Sequence, residues 1–308
     1  MMTLEKVVVV TRKTRLEGLI ERFNSRAQAK FYLDHSGGDY ADYEREDSAY
    51  RRAVDTVRRT IDVGLKIQVV ERSLVPTMMF TEGDAIIPVG QDGLVANTAK
   101  YVGEQPIIAV NPDPERFDGI LLRYSPSEAR AALLSLLEGR SRERKVTLAE
   151  AELQDGQRLL GFNDLFIGAR THVSARYRIG FGGRTEPHSS SGVLVSTGAG
   201  STGWLSSVYA MAGAVSAFSG GTAGRALRLE WEDPRLIFVV REPYVSRHSK
   251  AGIAAGLIEA GGELILESQM PSGGVIFSDG VEADALDFNS GARVHLHAAA
   301  RKTHLIVN

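Results

Sequence analysis

Ala85-Ile86-Ile87-Pro88-Val89-Gly90-Gln91-Asp92-Gly93 is the stretch that decides the fold. A short apolar run of this kind is typical of a strand buried on both faces, and here it ends in a glycine turn before a helical pattern at 94–102. Ligands of open α/β sheets bind at such strand ends, where glycines let the backbone approach phosphate oxygens. Asp92 adds a carboxylate that can bind a metal or accept a proton. A plain Asp-Gly turn is the alternative interpretation.

Strands and helices alternate on both sides of this turn. Further strands are predicted at 7–10, 65–70 and 106–110, and helices at 16–23, 47–61 and from Pro126 to the stop at Gly139. The polar stretch 34–47 is predicted to be a loop. Pro88 has no backbone N–H to donate to a neighbouring strand, which favours a bulge or an edge strand. The alternation predicts a doubly wound, Rossmann-like α/β domain over residues 1–145.

The pattern changes after the charged stretch 140–145. Short strands with turns between them follow, with Asp155-Gly156 as a hairpin turn, and only 202–218 has the pattern of a long helix. The predicted strands are 166–167, 175–181, 192–196, 227–231, 236–241, 263–267, 275–277 and 294–297. We therefore expect a β-rich second domain over residues 146–308, whose last strand can pack back on the first domain.

Composition agrees with a two-domain globular protein. The 308 residues exceed the size at which a single core usually stops growing. A formal net charge of -2 gives no basic excess for nucleic acid, and no apolar stretch approaches a membrane span. The absence of cysteine excludes disulfides, thiolate ligands and cysteine nucleophiles. We expect a cytoplasmic protein without nucleic-acid or membrane partners.

Two further polar segments lie in the second half. The Gly198-Ala199-Gly200-Ser201-Thr202 loop stands between a strand and a helix, where small residues and a helix N-terminus form an anion cradle. A capped loop without a ligand is the alternative, with Ser201 or Thr202 as the cap. Asn163-Asp164 is a polar pair among apolar strand residues, which by itself is explained by a turn.

In order along the chain, these three segments resemble the motifs of the NAD kinase family. Its mitochondrial-type branch is similar in several more runs. These are Val7-Val8-Val9-Val10 with Thr14-Arg15, Val110-Asn111-Pro112-Asp113-Pro114-Glu115-Arg116, Phe162-Asn163-Asp164-Leu165-Phe166-Ile167-Gly168, Ser190-Ser191-Gly192 and Arg241-Glu242-Pro243. Ser278-Asp279-Gly280 resembles the late Asp-Gly turn of the family.

The resemblance implies an α/β domain, a β-rich domain and a site in the cleft between them. It implies transfer of the γ-phosphoryl group of ATP to the 2′-hydroxyl of the adenosine ribose of NAD, with Mg²⁺ accompanying ATP. Asp92 would be the general base, and the nucleotides would meet Gly90, Gly93, Phe117, Asn163, Asp164, Ser191, Thr197, Gly200, Ser201 and Thr202. The resemblance also implies a homo-oligomer, a dimer or higher, and no metal ligands are predicted within the chain.

Two residues depart from the family motif Gly-Gly-Asp-Gly-Thr. Gln91 replaces its second glycine and Leu94 its threonine. If the backbone at 91 needs a positive φ, glutamine is strained there. Ser191 stands where many members have aspartate, although the mitochondrial-type branch also has serine.

Three hypotheses follow. The first is an NAD kinase, the second a non-catalytic NAD- or NADP-binding homologue, and the third a kinase for another hydroxyl, such as that of a sugar or lipid. His188-Ser189 invites a hydrolase interpretation, but no nucleophile-elbow motif accompanies it. His295 and His297 share one strand face, where a solvated surface is favoured over a metal pair.

Overall fold

A computed structural model describes residues 4–222 and 224–307. The chain divides into two compact units, Met1–Arg144 with Thr303–Asn308, and Lys145–Lys302. The termini of the predicted domains, residues 1 and 308, lie outside the described residues. Over 4–222 and 224–307, no helix is both long and apolar enough to cross a membrane.

The first unit contains the strands β1 (Lys6–Thr11), β2 (Lys66–Glu71), β3 (Asp84–Pro88) and β4 (Pro106–Ile107). They form a parallel sheet with the strand order β2-β1-β3-β4. The valines of β1 are fully buried, as expected for an inner parallel strand. One face of β1 and β3 packs against helices α3 and α5, which are the helices Tyr40–Thr60 and Ala129–Leu137.

The remaining helices of the first unit are α1 (Arg15–Phe23), α2 (Arg26–Ser36) and α4 (Asp92–Ala99). The predicted loop at 34–47 is wrong, because α2 and α3 occupy most of it. Gly37 ends α2 at φ 78°, and the Asp39 side chain caps α3 by accepting from the N–H of Ala41. Glu46 and Asp47 gave the stretch its polar character, and both are buried in α3 beside arginine side chains.

Two local predictions near the sheet are also wrong. β3 lies between β1 and β4, so Pro88 is not on an edge strand; it is the last residue of β3, and the ladder continues with the N–H of Val89 donating to the carbonyl of Val10. Helix α5 begins at Ala129 rather than at Pro126. The N–H of Ser125 instead donates to the Glu128 carboxylate at 2.8 Å, which closes a turn before the helix.

The second unit contains two packed sheets. Their strands are β5 (Arg142–Leu153), β6 (Arg158–Gly161), β7 (Asp164–Ala169), β8 (Ala175–Phe181), β9 (Arg184–Ser190), β10 (Val193–Ser196), β11 (Leu236–Val240), β12 (Ala255–Ile258), β13 (Leu264–Ser268), β14 (Gly274–Ser278), β15 (Val281–Asp287) and β16 (Arg293–Val307). One sheet is antiparallel, with the order β12-β11-β10-β7-β14-β15. The other includes β16-β13-β8-β9, with β5 and β6 forming a hairpin beside β16.

The core of this unit lies between the two sheets. Tyr177, Leu266 and Leu296 from one sheet pack with Ile167 and Phe238 from the other. Helix α6 (Trp204–Phe218) buries Leu205 against the outer face of β10 and β11, and a 3₁₀ turn, Ala199–Thr202, precedes it. The α/β and β-rich parts together confirm the predicted fold class.

The predicted strand at 227–231 is wrong, although its residues alternate in polarity. Residues 227–231 are not part of a strand. The segment is held by long-range contacts, in which the N–H of Leu229 donates to the Ser201 hydroxyl and the carbonyl of Trp231 accepts from the N–H of Thr147.

Candidate functional site

The Gly90–Gly93 turn lies in the first unit, between β3 and α4. Gln91 is the N-cap of α4 with φ -104° and ψ 167°, and its side chain is exposed. Any L-residue can adopt this conformation, so the glutamine is not strained. Position 91 does not need the positive φ that would have required a glycine. Asp92 is the first helical residue, where the macrodipole of α4 favours a negative charge.

The Asp92 carboxylate faces the segment that follows β4. Its Oδ2 accepts from the N–H of Ile120 at 3.1 Å and its Oδ1 from the N–H of Leu121 at 2.9 Å. One bond to each oxygen leaves further lone pairs, and the half-buried side chain retains access to solvent. Asp92 can therefore anchor this segment and still accept a proton.

Phe117 belongs to the same segment. The Asn111 side chain fixes it locally by donating from Nδ2 to the Phe117 carbonyl at 2.8 Å, and the Arg116 guanidinium lies 5.9 Å from the centre of the Phe117 ring. The structure thus places Phe117 three to four residues from the two N–H groups that Asp92 holds.

Leu94 fills the place next to the turn with apolar atoms. It is 3% exposed, and a Cβ built on Gly90 would lie 2.7 Å from the Leu94 Cδ2. The absence of a side chain at Gly90 therefore lets the Leu94 side chain pack against the backbone. A Cβ on Gly93 would have no atom within 4 Å. The hydroxyl that the family motif carries at this position is replaced by packing.

In the second unit, the Asn163-Asp164 turn is held from both sides. The Asp279 carboxylate accepts from the N–H groups of Phe162 at 2.8 Å, Asn163 at 2.6 Å and Asp164 at 3.3 Å. On the carbonyl side, the Thr197 hydroxyl donates to Phe162 at 2.6 Å and the N–H of Thr197 to Asn163 at 2.9 Å. The turn is consequently rigid, with the half-buried Asn163 side chain left available.

Asp164 is an ionisable group in an unusual place. It is 6% exposed, and its carboxyl group makes no hydrogen bond to any described residue. Burial, with a smaller contribution from the charge of Asp279, raises the pKa of Asp164 to about 7. A raised pKa at a buried carboxyl group is a recognised mark of functional sites.

The glycines of the 198–202 loop have a packing role. A Cβ on Gly198 would lie 1.8 Å from the Glu230 carbonyl oxygen, and one on Gly200 would lie 2.0 Å from that of Asn163. The N–H of Gly200 donates to the Thr197 hydroxyl at 3.2 Å. The loop therefore presses against the Asn163-Asp164 turn, so the two segments form one structural element.

The prediction that Ser201 or Thr202 caps the long helix is wrong. The N-cap of α6 is Gly203, without a side-chain cap, and Ser201 and Thr202 belong to the preceding 3₁₀ turn. Ser201 is buried, with its hydroxyl 3.4 Å from the Thr197 carbonyl, whereas Thr202 is exposed.

Ser191 is not brought together with these residues. It precedes β10, whereas Thr197 follows it, so the two lie at opposite ends of the strand, roughly 20 Å apart at about 3.3 Å per residue. Ser191 is exposed, and its N–H donates to the Arg241 carbonyl at 2.9 Å.

Sequence reasoning gave no site role to Asp279, Trp204 or Arg241. Asp279 was noted only as part of a motif, although it accepts three N–H groups. Trp204 stacks on Phe166 with ring centres 5.5 Å apart, and the Arg241 guanidinium lies 5.2 Å from the Trp204 ring. No local sequence pattern predicts this cluster, because its three residues come from distant parts of the chain.

The histidines take structural roles. His188 Nε2 lies 2.8 Å from the buried Glu186 carboxylate. Ser189 is the next residue of β9, so its side chain points to the opposite face of the sheet, and a serine–histidine pair of the hydrolase type is not formed between them. His295 and His297 contact two different glutamates, Glu263 and Glu152.

No protein-family model matches the chain. A stretch of 132 residues, 40% of the chain, is 30% identical to mitochondrial NAD kinase 2 of Rattus norvegicus and of Mus musculus. The match covers 31% and 29% of those proteins, so the chain spans under a third of the length of the curated relatives it matches.

Solved structures extend the likeness to nearly the whole chain, at the level of fold. A yeast NADH kinase complexed with NADH aligns over 99% of this chain and 84% of its own, with a TM-score of 0.59 and 14% identity. An NAD kinase from Archaeoglobus fulgidus in complex with ATP aligns over 98% and 94%, with a TM-score of 0.55 and 16% identity. In sequence over part of its length and in fold over nearly all of it, the chain resembles the NAD kinase family.

Proposed function

We propose that this protein is an ATP-dependent kinase that phosphorylates the 2′-hydroxyl of the adenosine ribose of NAD to give NADP. The observation that carries the proposal is the Asn163-Asp164 turn, which is hydrogen-bonded on both sides and presents a buried carboxyl group that makes no hydrogen bond to any residue of 4–222 and 224–307. Hydroxyl groups of a ribose are suitable partners for such a group. The relatives named above, one with NADH and one with ATP, support nucleotides as ligands.

Asp92 would act at the reacting hydroxyl. A bond forms between the ribose 2′-oxygen and the γ-phosphorus of ATP, the bond from that phosphorus to the β,γ-bridging oxygen breaks, and ADP leaves. The lone pairs of Asp92 not used by Ile120 and Leu121 would take the hydroxyl proton. Its position at the start of α4 keeps a negative charge there favourable.

Nucleotide phosphates would be met by Gly90 and Gly93 in the first unit, and Phe117 would contact a base. In the second unit, Asn163 and Asp164 would bind ribose hydroxyls, and Thr202 offers an exposed hydroxyl. Ser191 also has an exposed hydroxyl, but it lies at the other end of β10 and would contact a different part of the ligand. Thr197, Gly200 and Ser201 would act through the turn they support, because their side chains or Cα atoms are buried against it.

Mg²⁺ would enter with ATP. In the described part of the chain, no group of three or more His, Asp or Glu side chains could hold a metal ion. Mg²⁺ is commonly bound through one or two carboxylates together with substrate phosphates, and Asp92 has lone pairs to offer. The ion supplies charge neutralisation on the phosphoryl oxygens.

The test is formation of NADP from NAD and Mg-ATP by the purified protein, measured with an NADP-specific dehydrogenase. Asp92→Asn should lower kcat by about 10²–10⁴, the usual contribution of a general base, while NAD binding by calorimetry persists. Asp118→Asn, an exposed aspartate of the same segment, is the matched control. Wild-type turnover in Asp92→Asn would remove the role assigned to Asp92.

A second candidate is a homologue that binds NAD or NADP without turnover. The buried Leu94 favours it, because a phosphate-binding hydroxyl is absent from the turn. This candidate requires NAD binding with no NADP formed by the wild type. Activity gained in a Gln91→Gly, Leu94→Thr double variant would show a competent scaffold with an altered turn. Measurable wild-type turnover would eliminate this candidate.

The resemblance also supports a homo-oligomer of at least two subunits. Size-exclusion chromatography with light scattering measures the mass directly, and a monomer at all concentrations would contradict it.

A further inference from the structure

Asp279 forms the turn between β14 and β15 in the left-handed conformation, with φ 52°. Aspartate and asparagine tolerate this region better than most residues, so the backbone strain is modest. The conformation aims the carboxylate at the three successive N–H groups of residues 162–164, and the N–H of Asp279 donates to the Asp164 carbonyl at 3.1 Å. One side chain thereby fixes all three N–H groups of the turn, and Thr197 holds its carbonyl groups.

The carboxyl groups of Asp164 and Asp279 differ in the hydrogen bonds that they receive. Three N–H dipoles stabilise the charge of Asp279, whereas the Asp164 carboxyl group receives no hydrogen bond from the residues that the structure describes. The charged group acting on Asp164 is Asp279. On the strands either side of β7, the uncharged Ser196 lies in register with Asp164, and the uncharged Ser278 lies in register with the next residue, Leu165.

Two adjacent carboxyl groups in a buried site do not both ionise readily. Because the N–H groups favour charge on Asp279, the proton of the pair resides on Asp164. This agrees with the pKa of Asp164 of about 7, which burial and Asp279 together produce.

We propose that Asp279 is a positioning residue for nucleotide binding, which holds the Asn163-Asp164 turn in shape and keeps a proton on Asp164 until a ribose binds. The identity of the ligand rests on the proposed function. When ribose hydroxyls donate to Asp164, the ionised carboxylate is the better acceptor, and the proton of Asp164 passes to the solvent. Nucleotide affinity is then linked to pH through this pair.

The linkage has a definite sign. Binding to the ionised form weakens as the pH falls, because a growing fraction of Asp164 must first lose its proton. With a midpoint near pH 7, affinity for NAD should be about tenfold weaker at pH 6 than at pH 8. Calorimetry near pH 6 in buffers of different ionisation enthalpy should show release of close to one proton.

The first experiment needs no ligand. Aspartate labelled with ¹³C at Cγ should give one resonance that titrates near pH 7 in the free protein and is missing in Asp164→Asn. In Asp279→Asn, which keeps a residue tolerant of the left-handed conformation but removes the charge, the midpoint should move to lower pH. Asp155→Asn, at another turn where a carboxylate accepts a backbone N–H, should leave it unchanged.

The second experiment measures NAD affinity from pH 6 to 8 in the same variants. Asp279→Asn should weaken NAD binding and flatten its pH profile, and Asp164→Asn should bind NAD with no pH dependence from this site. A purely structural Asp279 would lower affinity equally at every pH and leave the profile unchanged, which would overturn the proposal. So would a wild-type protein with no aspartate titrating near neutrality. Absence of NAD binding at any pH would refute the proposed function, and the resonance of Asp164 would still decide the role of Asp279.

Discussion

The hydroxyl of Thr197 donates to the carbonyl of Phe162 at 2.6 Å, across a separation of 35 residues, and both residues are fully buried. Thr197→Val keeps the shape but leaves that carbonyl without this donor. We expect the free energy of unfolding to fall by about 1–3 kcal/mol, the usual cost of an unsatisfied buried group. Chemical denaturation measures it. Thr197→Ser, which keeps the hydroxyl, is the control, and equal losses in both variants would contradict the prediction.

Gly200→Ala should be strongly destabilising, because the new Cβ would lie 2.0 Å from the Asn163 carbonyl oxygen. Backbone must move to relieve this contact, at a cost of about 1–3 kcal/mol or more, and the displaced turn should also bind NAD less tightly. Thermal unfolding and calorimetry report the two effects. Gly18→Ala in α1, where a Cβ meets nothing within 4 Å, should be neutral or slightly stabilising. Wild-type stability in Gly200→Ala would contradict the prediction.

The pH dependence of stability should carry the signature of Asp164. Its pKa in the folded protein, about 7, lies above the ordinary value, so the folded state holds a proton that the unfolded state has already lost. The contribution of Asp164 to the free energy of unfolding therefore declines as the pH rises from about 4 to 7, by at most about 1.4 kcal/mol per pH unit. Above about pH 7 this contribution levels off. In Asp164→Asn this decline should be absent. Denaturation curves at several pH values measure the difference, and parallel profiles would refute it.

Glu186 should be essential to the fold of the second unit. It is 5% exposed, and its Oε1 lies 2.8 Å from His188 Nε2 and 2.6 Å from the N–H of Ile253. Burial opposes its charge, but these hydrogen bonds prevail and hold the pKa of Glu186 below its ordinary value. Glu186→Ala leaves both partners unsatisfied, so a loss of roughly 3–5 kcal/mol is expected.

Glu186→Gln keeps an acceptor and should lose less. The sign of the pKa shift means that the advantage of glutamate over glutamine exists above the ordinary glutamate pKa and disappears as the pH falls through the lowered value. Denaturation at neutral and acid pH distinguishes the two variants. A glutamine variant with the same deficit at all pH values would show that charge is irrelevant.

Gln91 and Leu94, the two residues that differ from the family motif, should respond differently to substitution. Gln91→Gly changes an exposed residue with an ordinary φ, so stability should change by only a few tenths of a kcal/mol. Leu94→Thr removes a buried apolar side chain and should cost about 1–3 kcal/mol. Thermal unfolding of the two single variants measures this contrast. A large cost at position 91 would be incompatible with the observed backbone.

Local pattern was sufficient for the strands that position the turns. The valine run of β1 and the apolar run before Gly90 form inner parallel strands, as expected from β-branched residues buried on both faces. Local pattern failed at 34–47, because charged residues in α3 are paired with arginines from elsewhere in the chain. It failed at 227–231 because alternation alone does not specify a pairing partner.

The candidate site was predictable only in part. A glycine that lets phosphate approach and a glycine that lets a carbonyl approach have the same signature in a sequence, and Gly198 and Gly200 belong to the second kind. Asp279 acts on residues 115 to 117 positions away, so no local motif could show that it accepts their N–H groups. The assignment of nucleotide contacts stays a prediction.

Strand β16 has a consequence for how the protein is made. Its residues up to Lys302 belong to the second unit, whereas His304 and Leu305 lie in register with Pro106 and Ile107 of the first. During translation, β4 lacks its neighbour β16 until residues 145–302 have been synthesised, because His304 and Leu305 follow them in the sequence. Until then the N-terminal sheet has an unpaired edge at β4. An exposed strand edge is a template for unwanted association. The nascent chain should therefore depend on chaperones, or on rapid folding of 145–302, more than its two-unit architecture would suggest.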